Sequence, residues 1–261
     1  MKYGFIGCGN MGGALARALT KTTQDVIISD PSPFARELAV EMGCEYGSNE
    51  LAASCDRVFL AVKPNILGSV LAGIRPILKS RKPLLISMAA GVSIEQIESF
   101  AGTELPVIRI MPNTPAAVGK GMITYAANEL VDEATVTDFL RDMRPAGCFD
   151  RLDEKLMEAA TAVAGCGPAY VYMMIEAMAD GAVACGLPRA KAQYYAAMTL
   201  AGAAEMVLST GEHPGELKDA VCSPGGSTIA GVRTLEEHGF RGAVVDCICD
   251  AYLKTQELGK K

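Results

Sequence analysis

Residues 4–13 read GFIGCGNMGG, five glycines in ten positions directly behind an apolar run. Nothing else in the chain restricts its folding so severely. Glycines this dense weaken a helix or a strand, so the stretch must be a turn whose backbone needs unusual conformations. Within it Gly7, Cys8, Gly9, Asn10, Met11 and Gly12 form G-x-G-x-x-G. The run before it predicts a strand, and the spacing of Met11, Leu15, Ala18 and Leu19 predicts a helix after it. In that setting Gly7 permits the tight turn, Gly9 lets a pyrophosphate approach the backbone, and Gly12 lets helix and strand pack closely. Bare amides and the positive dipole end at the helix start then hold the phosphates. The bland alternative is an ordinary strand–helix turn.

The surrounding rhythm favours a dinucleotide. Up to residue 152, β-rich runs at 2–6, 25–29, 57–62, 84–88, 107–111, 122–126 and 148–152 alternate with helical stretches such as 11–19 and 34–42. For the second helix Ser32 is the expected cap, with Pro33 in the first turn and Gly43 as the stop. Near-continuous apolar strands alternating with helices predict an α/β fold, a doubly wound and mainly parallel sheet over residues 1–152. From 153 to 261 the β-rich runs vanish. Helical spacing covers 156–164, 169–185, 189–208, 229–237 and 240–258, with breaks at 165–168, 186–188, 210–214 and 223–226. This half reads as an all-α domain. Residues 170–178 and 194–207 are apolar nearly all round, more surface than so small a domain can bury alone, so a partner subunit is expected to cover it.

Composition closes several other routes. The net charge is −6 with no dense Lys/Arg block, which argues against a nucleic-acid partner. Nine cysteines without a CxxC, and only His213 and His238, supply no zinc site, so no metal is expected. The cysteines read as small buried residues of a reducing compartment, with a Cys247–Cys249 redox pair as the weaker alternative. Only Lys2 precedes the first apolar run, and Gly4 and Gly7 interrupt it, unlike a secretory leader. No uninterrupted apolar stretch approaches the ~20 residues of a membrane helix. The expected compartment is the cytoplasm.

Further candidate ligand contacts fall where predicted strands end, the edge at which open α/β sheets bind ligands. Ser29 and Asp30 close the second run. An acid there accepts from both ribose hydroxyls and repels a 2′-phosphate, which leans the cofactor towards NADH over NADPH. Against this, Asp30 or Ser32 serves equally as a helix cap, and Ser29, Ser32 and Arg36 are able to meet a phosphate. Ala61, Val62, Lys63 and Pro64 close the third run and would flank the nicotinamide half, with a solvated loop lysine as the competing reading of Lys63. Ala89 and Ala90 leave room for a flat ring. The stretch RIMPNTP, residues 109–115, is a rigid polar turn, either a fold-defining bend or a site wall.

In the helical half, Ser223, Pro224, Gly225, Gly226, Ser227 and Thr228 form a glycine-bearing turn that opens a helix at about Ile229. Bare amides, a helix start and hydroxyl donors make an anion seat, and without a P-loop lysine it suits a small carboxylate. A simple cap by Ser227 or Thr228 is the commoner explanation of such a turn. No Ser-His-Asp set or paired carboxylates occur, and hydride transfer needs neither.

These motifs together resemble the pyrroline-5-carboxylate reductases. The resemblance spans nearly the whole chain and rests on residues 4–12, LAVKP at 60–64, RIMPNTP at 109–115, GCGPAY at 165–170, ADG at 179–181 with GLP at 186–188, HPG at 213–215 with LKD at 217–219, and SPGGST at 223–228. It implies a Rossmann domain joined to a helical domain that interlocks in a dimer, with dimers often assembling into decamers. The implied active site lies between one subunit's cofactor and the helical domains. It implies that Ser223, Gly225, Gly226, Ser227 and Thr228 hold the substrate carboxylate, and that Glu212 lines the pocket. The implied reaction is hydride transfer from NADH or NADPH to the imine carbon of 1-pyrroline-5-carboxylate, which becomes C5 of L-proline. Two departures stand out: Met173 where some members carry a threonine, and Ser29-Asp30-Pro31 where NADPH-preferring relatives carry Asn or Ser followed by Arg. The 3-hydroxyacid dehydrogenases share the glycine loop but use a helix lysine, and residues 169–185 contain none. A non-catalytic nucleotide-binding redox sensor is the third reading.

Overall fold

Strands buried on both faces need apolar residues at every position, and the first half supplies them in short blocks. The computed structural model describes residues 1–259. Eight strands form one sheet: β1 (Tyr3–Ile6), β2 (Val26–Ser29), β3 (Glu45–Tyr46), β4 (Arg57–Leu60), β5 (Leu84–Ser87), β6 (Val107–Met111), β7 (Gly121–Ala127) and β8 (Gly147–Arg151). Their order is β3-β2-β1-β4-β5-β6-β7-β8. Every pairing is parallel except β6 with β7. The sheet is therefore doubly wound and mainly parallel. β3 escapes a pattern search because it is two exposed residues long.

Six helices wrap this sheet: α1 (Asn10–Leu19), α2 (Pro33–Met42), α3 (Asn49–Ala53), α4 (Pro64–Arg81), α5 (Ile94–Ala101) and α6 (Glu133–Met143). On one face Leu15 and Leu19 of α1, Leu38 of α2 and Phe139 of α6 pack on Tyr3, Phe5 and Phe59. The Phe5 and Phe59 rings stack with centroids 4.3 Å apart. On the other face Ala52 of α3, Leu67 and Leu71 of α4 and Ile97 of α5 cover Ile6, Ile27, Val58 and Leu85. Local signals set the helix ends. Ser93 and Gln96 form a reciprocal capping box on α5, and Gly43 stops α2 in a left-handed conformation at φ 69°.

The described residues divide by packing into two compact units, Met1–Cys166 together with residues 251–259, and Gly167–Asp250. In the first unit the sheet is followed by α7 (Met157–Ala160) and a π-helical turn, Thr161–Gly165. This root of the helical half packs with the sheet although the sequence places the division at 152/153. Met157 is fully buried in the cluster that holds Ile94, Met111 and Ala126. The second unit is helical: α8 (Gly167–Ala184), α9 (Arg189–Thr210), α10 (Pro214–Ala220), α11 (Ser227–Glu237) and the first part of α12 (Phe240–Gly259). Within it α8 and α9 bury little beyond Ala179, Ala192 and Ala196 against one another.

Two expectations need correction. The break expected at 165–168 narrows to the single turn residue Cys166 within a helical run, and Pro168 sits in the first turn of α8, where a missing N–H costs nothing. That run, Glu154–Ala184, is also long and apolar enough to cross a membrane by length and composition, where no such stretch was expected. Counting only uninterrupted apolar residues missed it, since Glu158, Glu176 and Asp180 interrupt the sequence without lowering its mean hydropathy far.

Candidate active site

The glycine turn is built by steric demands that only hydrogen can meet. Gly7 adopts φ +92°, and a Cβ there would lie 2.5 Å from the Ala61 carbonyl oxygen. At Gly12 a Cβ would meet the Gly7 carbonyl oxygen at 2.8 Å and the Ala61 Cβ at 2.9 Å. Gly9 differs: a Cβ there meets nothing within 4 Å, so its hydrogen faces open space. Two glycines thus close the turn, and the third keeps its outer side clear. Gly9 is also the cap residue of α1 and Asn10 begins it, with no side chain capping that helix start. Among the described residues, the amides of Gly9, Asn10, Met11 and Gly12 have no backbone acceptor, whereas Gly13 already donates to Gly9 at 2.7 Å. A diphosphate fits this place: four donors, a helix dipole, and no side chain in the way.

The other candidate segments of this unit gather at the same sheet edge. Gly7 N–H donates to Ser29 O at 2.8 Å, and Ala61 N–H donates to Ile6 O at 2.8 Å. Ala61 and Val62 are half-buried, while Lys63 and Pro64 are exposed at the start of α4. Ala89 is buried and Ala90 half-buried beyond the end of β5. Cys8 turns its thiol inward, and burial, with the neighbouring Asp30 charge, pushes that thiol up to about 12. It is a packing residue, not a nucleophile.

Asp30 occupies an unexpected role. Its Oδ2 accepts from Cys8 N–H at 2.6 Å and its Oδ1 from Ser32 N–H at 2.8 Å. Ser32 caps α2 by position only, since its side chain makes no capping bond. The sequence reading missed Asn49 altogether. Its Oδ1 accepts from the buried Ser29 hydroxyl at 2.7 Å, which places an amide side chain beside the end of β2. The Gly-Ser-Asn-Glu run that opens α3, with Ser48 as its cap, was the available signal.

The stretch 109–115 resolves into a pair of tethers. Arg109, 2% exposed, reaches Glu154 at 3.1 Å and Glu158 at 2.7 Å. Glu154 also accepts from Ile94 N–H at 2.8 Å. Asn113 donates through Nδ2 to the Ala164 carbonyl at 2.9 Å and accepts from Met122 N–H at 3.0 Å. One guanidinium, two carboxylates and one amide therefore fasten residues 154–164 to β6, β7 and the start of α5.

In the second unit the turn 223–228 is exposed but for half-buried Gly226. Gly225 is left-handed at φ +70°, and Gly226 N–H closes the turn on Ser223 O at 3.0 Å. A Cβ on Gly226 would lie 2.4 Å from the Ser223 hydroxyl. The helix begins at Ser227, two residues earlier than the sequence placed it, with Gly226 as cap residue and no capping side chain. The hydroxyls of Ser227 and Thr228 are thus not spent on capping. Glu212 is exposed, its N–H donating to the Thr210 hydroxyl at 3.1 Å, and no described hydrogen bond joins it to the turn. His213 takes the cap position of α10, its Nδ1 accepting from Gly215 N–H at 3.0 Å. Among the described residues no group of three or more His, Cys, Asp or Glu is placed to hold a metal ion.

Comparison with known proteins adds a family to this geometry. A family model described as pyrroline-5-carboxylate reductase dimerisation matches residues 154–258, and one described as NADP oxidoreductase, coenzyme F420-dependent, matches residues 2–91. The pyrroline-5-carboxylate reductase of Escherichia coli is 43% identical over 99% of this chain and 98% of its own length. The crystal structure of the Plasmodium falciparum pyrroline carboxylate reductase with NADP bound is 36% identical, with TM-score 0.90 over 99% of this chain and 98% of that one. A 3-hydroxyisobutyrate dehydrogenase of Mycobacterium tuberculosis, 17% identical with TM-score 0.52 over 68% of this chain and 64% of that one, is alike in fold alone.

Proposed function

The chain belongs to the pyrroline-5-carboxylate reductase family, and from that membership we propose how its residues divide the work. It is an oxidoreductase that reduces 1-pyrroline-5-carboxylate to L-proline, the last step of proline biosynthesis. When bound, a reduced nicotinamide dinucleotide supplies the hydride, from ring C4 to the imine carbon that becomes C5 of proline. The protein supplies position and electrostatics. Residues 1–152 carry the nucleotide site: the amides of Gly9, Asn10, Met11 and Gly12 hold the diphosphate, Ser29 and Asp30 border the ribose, and Ala61–Pro64 with Ala89 and Ala90 flank the nicotinamide. Residues 153–261 carry the substrate site and the dimer contact. The amides and hydroxyls of Ser227 and Thr228, with Ser223, Gly225 and Gly226, hold the carboxylate, and Glu212 borders the pocket. A protonated imine is already a good electrophile, so no strong general acid is demanded. The Thr228 hydroxyl or a water serves the ring nitrogen.

The observation that carries this reading is the presence, in one full-length family match, of two helix starts whose amides lack acceptors and whose side chains do not cap them. The sequence leans to NADH through Asp30, but both of its oxygens are held by backbone amides, so both nucleotides should serve, with kcat/KM values within about tenfold, or 1.4 kcal/mol. The assay is direct: nicotinamide absorbance followed with pyrroline-5-carboxylate and with 3-hydroxyisobutyrate, each with both nucleotides. Turnover of the imine alone is expected. Turnover of the hydroxyacid alone would point to the dehydrogenase reading, and binding without turnover to a nucleotide sensor.

The helical half forms the subunit contact. Met173 and Leu208 are 68% and 79% exposed in the single chain, which a partner's matching surface would cover. We place the assembly as an interlocked dimer that builds further into decamers, and sedimentation should show even multiples of the subunit up to ten. A stable monomer would refute it. We place the protein in the cytoplasm from its cysteine usage, although of the nine free thiols only Cys8 and Cys55 are buried, fewer than the sequence leads one to expect.

A further inference from the structure

We propose that Asp30 is a positioning residue for the dinucleotide turn, bracing its backbone for both nucleotides rather than choosing between them. The proposal rests on the reading that this turn binds NADH or NADPH. In dinucleotide folds an acid closing the second strand is expected to read the ribose. Here both of its oxygens already face backbone donors, Cys8 N–H at 2.6 Å and Ser32 N–H at 2.8 Å. The second is a local turn bond, which by itself would only shape the start of α2. The first crosses 22 residues of sequence and lands inside the glycine turn. It falls one residue after the Gly7 N–H bond to Ser29 O, so consecutive amides of the turn are tied to consecutive residues at the end of β2.

The brace is itself held. The Tyr46 hydroxyl donates to the Asp30 carbonyl at 2.5 Å, and the Arg36 guanidinium lies 5.8 Å above the Tyr46 ring. On the inner side Cys8 is locked by a side chain 1% exposed in the core. With the Cys8 amide drawn towards β2, the donors left for a diphosphate are those from Gly9 onward, and they start from a pinned point. A carboxylate–amide bond of this kind is among the stronger hydrogen bonds, so losing it loosens every donor that follows. Both nucleotides share the diphosphate, and so both should suffer.

The substitutions discriminate sharply. Asp30→Asn keeps the shape but must turn its own NH2 against one of two N–H donors, so at least one bond is lost. Asp30→Ala loses both. For each variant, calorimetric Kd values for NAD⁺ and NADP⁺ should rise together by about tenfold or more, with their ratio preserved within about threefold. At saturating nucleotide the KM for the imine should not move. A ratio that shifts by more than about threefold towards NADP⁺ would make Asp30 a ribose reader and overturn the proposal, as would unchanged Kd values. Amide exchange on the parent protein without nucleotide gives a test that needs no variant: Cys8 N–H should be protected and Gly9 N–H should exchange freely. Rapid exchange at Cys8 would refute the brace even if neither variant folds. If the parent binds neither nucleotide, the assignment of the turn fails instead, and the exchange experiment still judges the brace.

Discussion

Thr228→Ala is expected to raise the KM for pyrroline-5-carboxylate by roughly 10- to 100-fold and to leave the Kd of the nucleotide within about twofold of the parent. The magnitude is that of one hydrogen bond to a charged group, about 1.5–3 kcal/mol, at 1.4 kcal/mol per decade. Thr228 is exposed in the first turn of α11, where the cap position belongs to Gly226 and no side chain occupies the helix start. Its hydroxyl and the neighbouring amides can therefore turn to a ligand carboxylate without giving up a structural bond. The same reasoning makes the substitution nearly neutral for stability. Steady-state kinetics with a melting curve on the same sample measures both. An unchanged KM would remove this turn from the substrate site.

Arg109→Met should act in the opposite way, on stability first. The arginine is 2% exposed, and its loss strands the carboxylates of Glu154 and Glu158 against the sheet without their cation. Breaking a buried pair by removing one partner costs about 3–5 kcal/mol. The two carboxylates retain some solvent, with side chains 32% and 21% exposed, which places the expectation near the lower end. For a chain of this size about 3 kcal/mol lowers Tm by roughly 6–12 °C. A shift under about 2 °C would show that the tether carries little of the fold.

The two substitutions mark what could be read along the chain and what could not. The parallel strands were legible because burial on both faces forces short unbroken apolar runs, as in Val26–Ser29 and Leu84–Ser87. Two-residue β3 has no period to detect. The function of 109–115 stayed open because its partners, Glu154 and Ala164, lie 45 and 51 residues away, beyond any local pattern. Asp30 illustrates the same limit in one side chain. Its position behind β2 announces a ligand contact, yet the bond to Cys8 exists only once two strands are side by side. At 223–228 the glycines and hydroxyls were visible, but whether a hydroxyl caps the helix depends on torsions that composition does not carry.

The π-turn at Thr161–Gly165 makes the chain count its residues there. Its closing bond runs from Cys166 N–H to Thr161 O at 2.9 Å, a span of five rather than four, and Asn113 holds the Ala164 carbonyl from the side. Deleting one residue from this loop of backbone would restore an ordinary α-helical ladder, since a π-turn is an α-helix with one residue inserted. The α-helical partner of the Ala164 carbonyl would be Pro168, which carries no N–H, so the Asn113 side chain supplies from outside the helix the donor that the proline withholds.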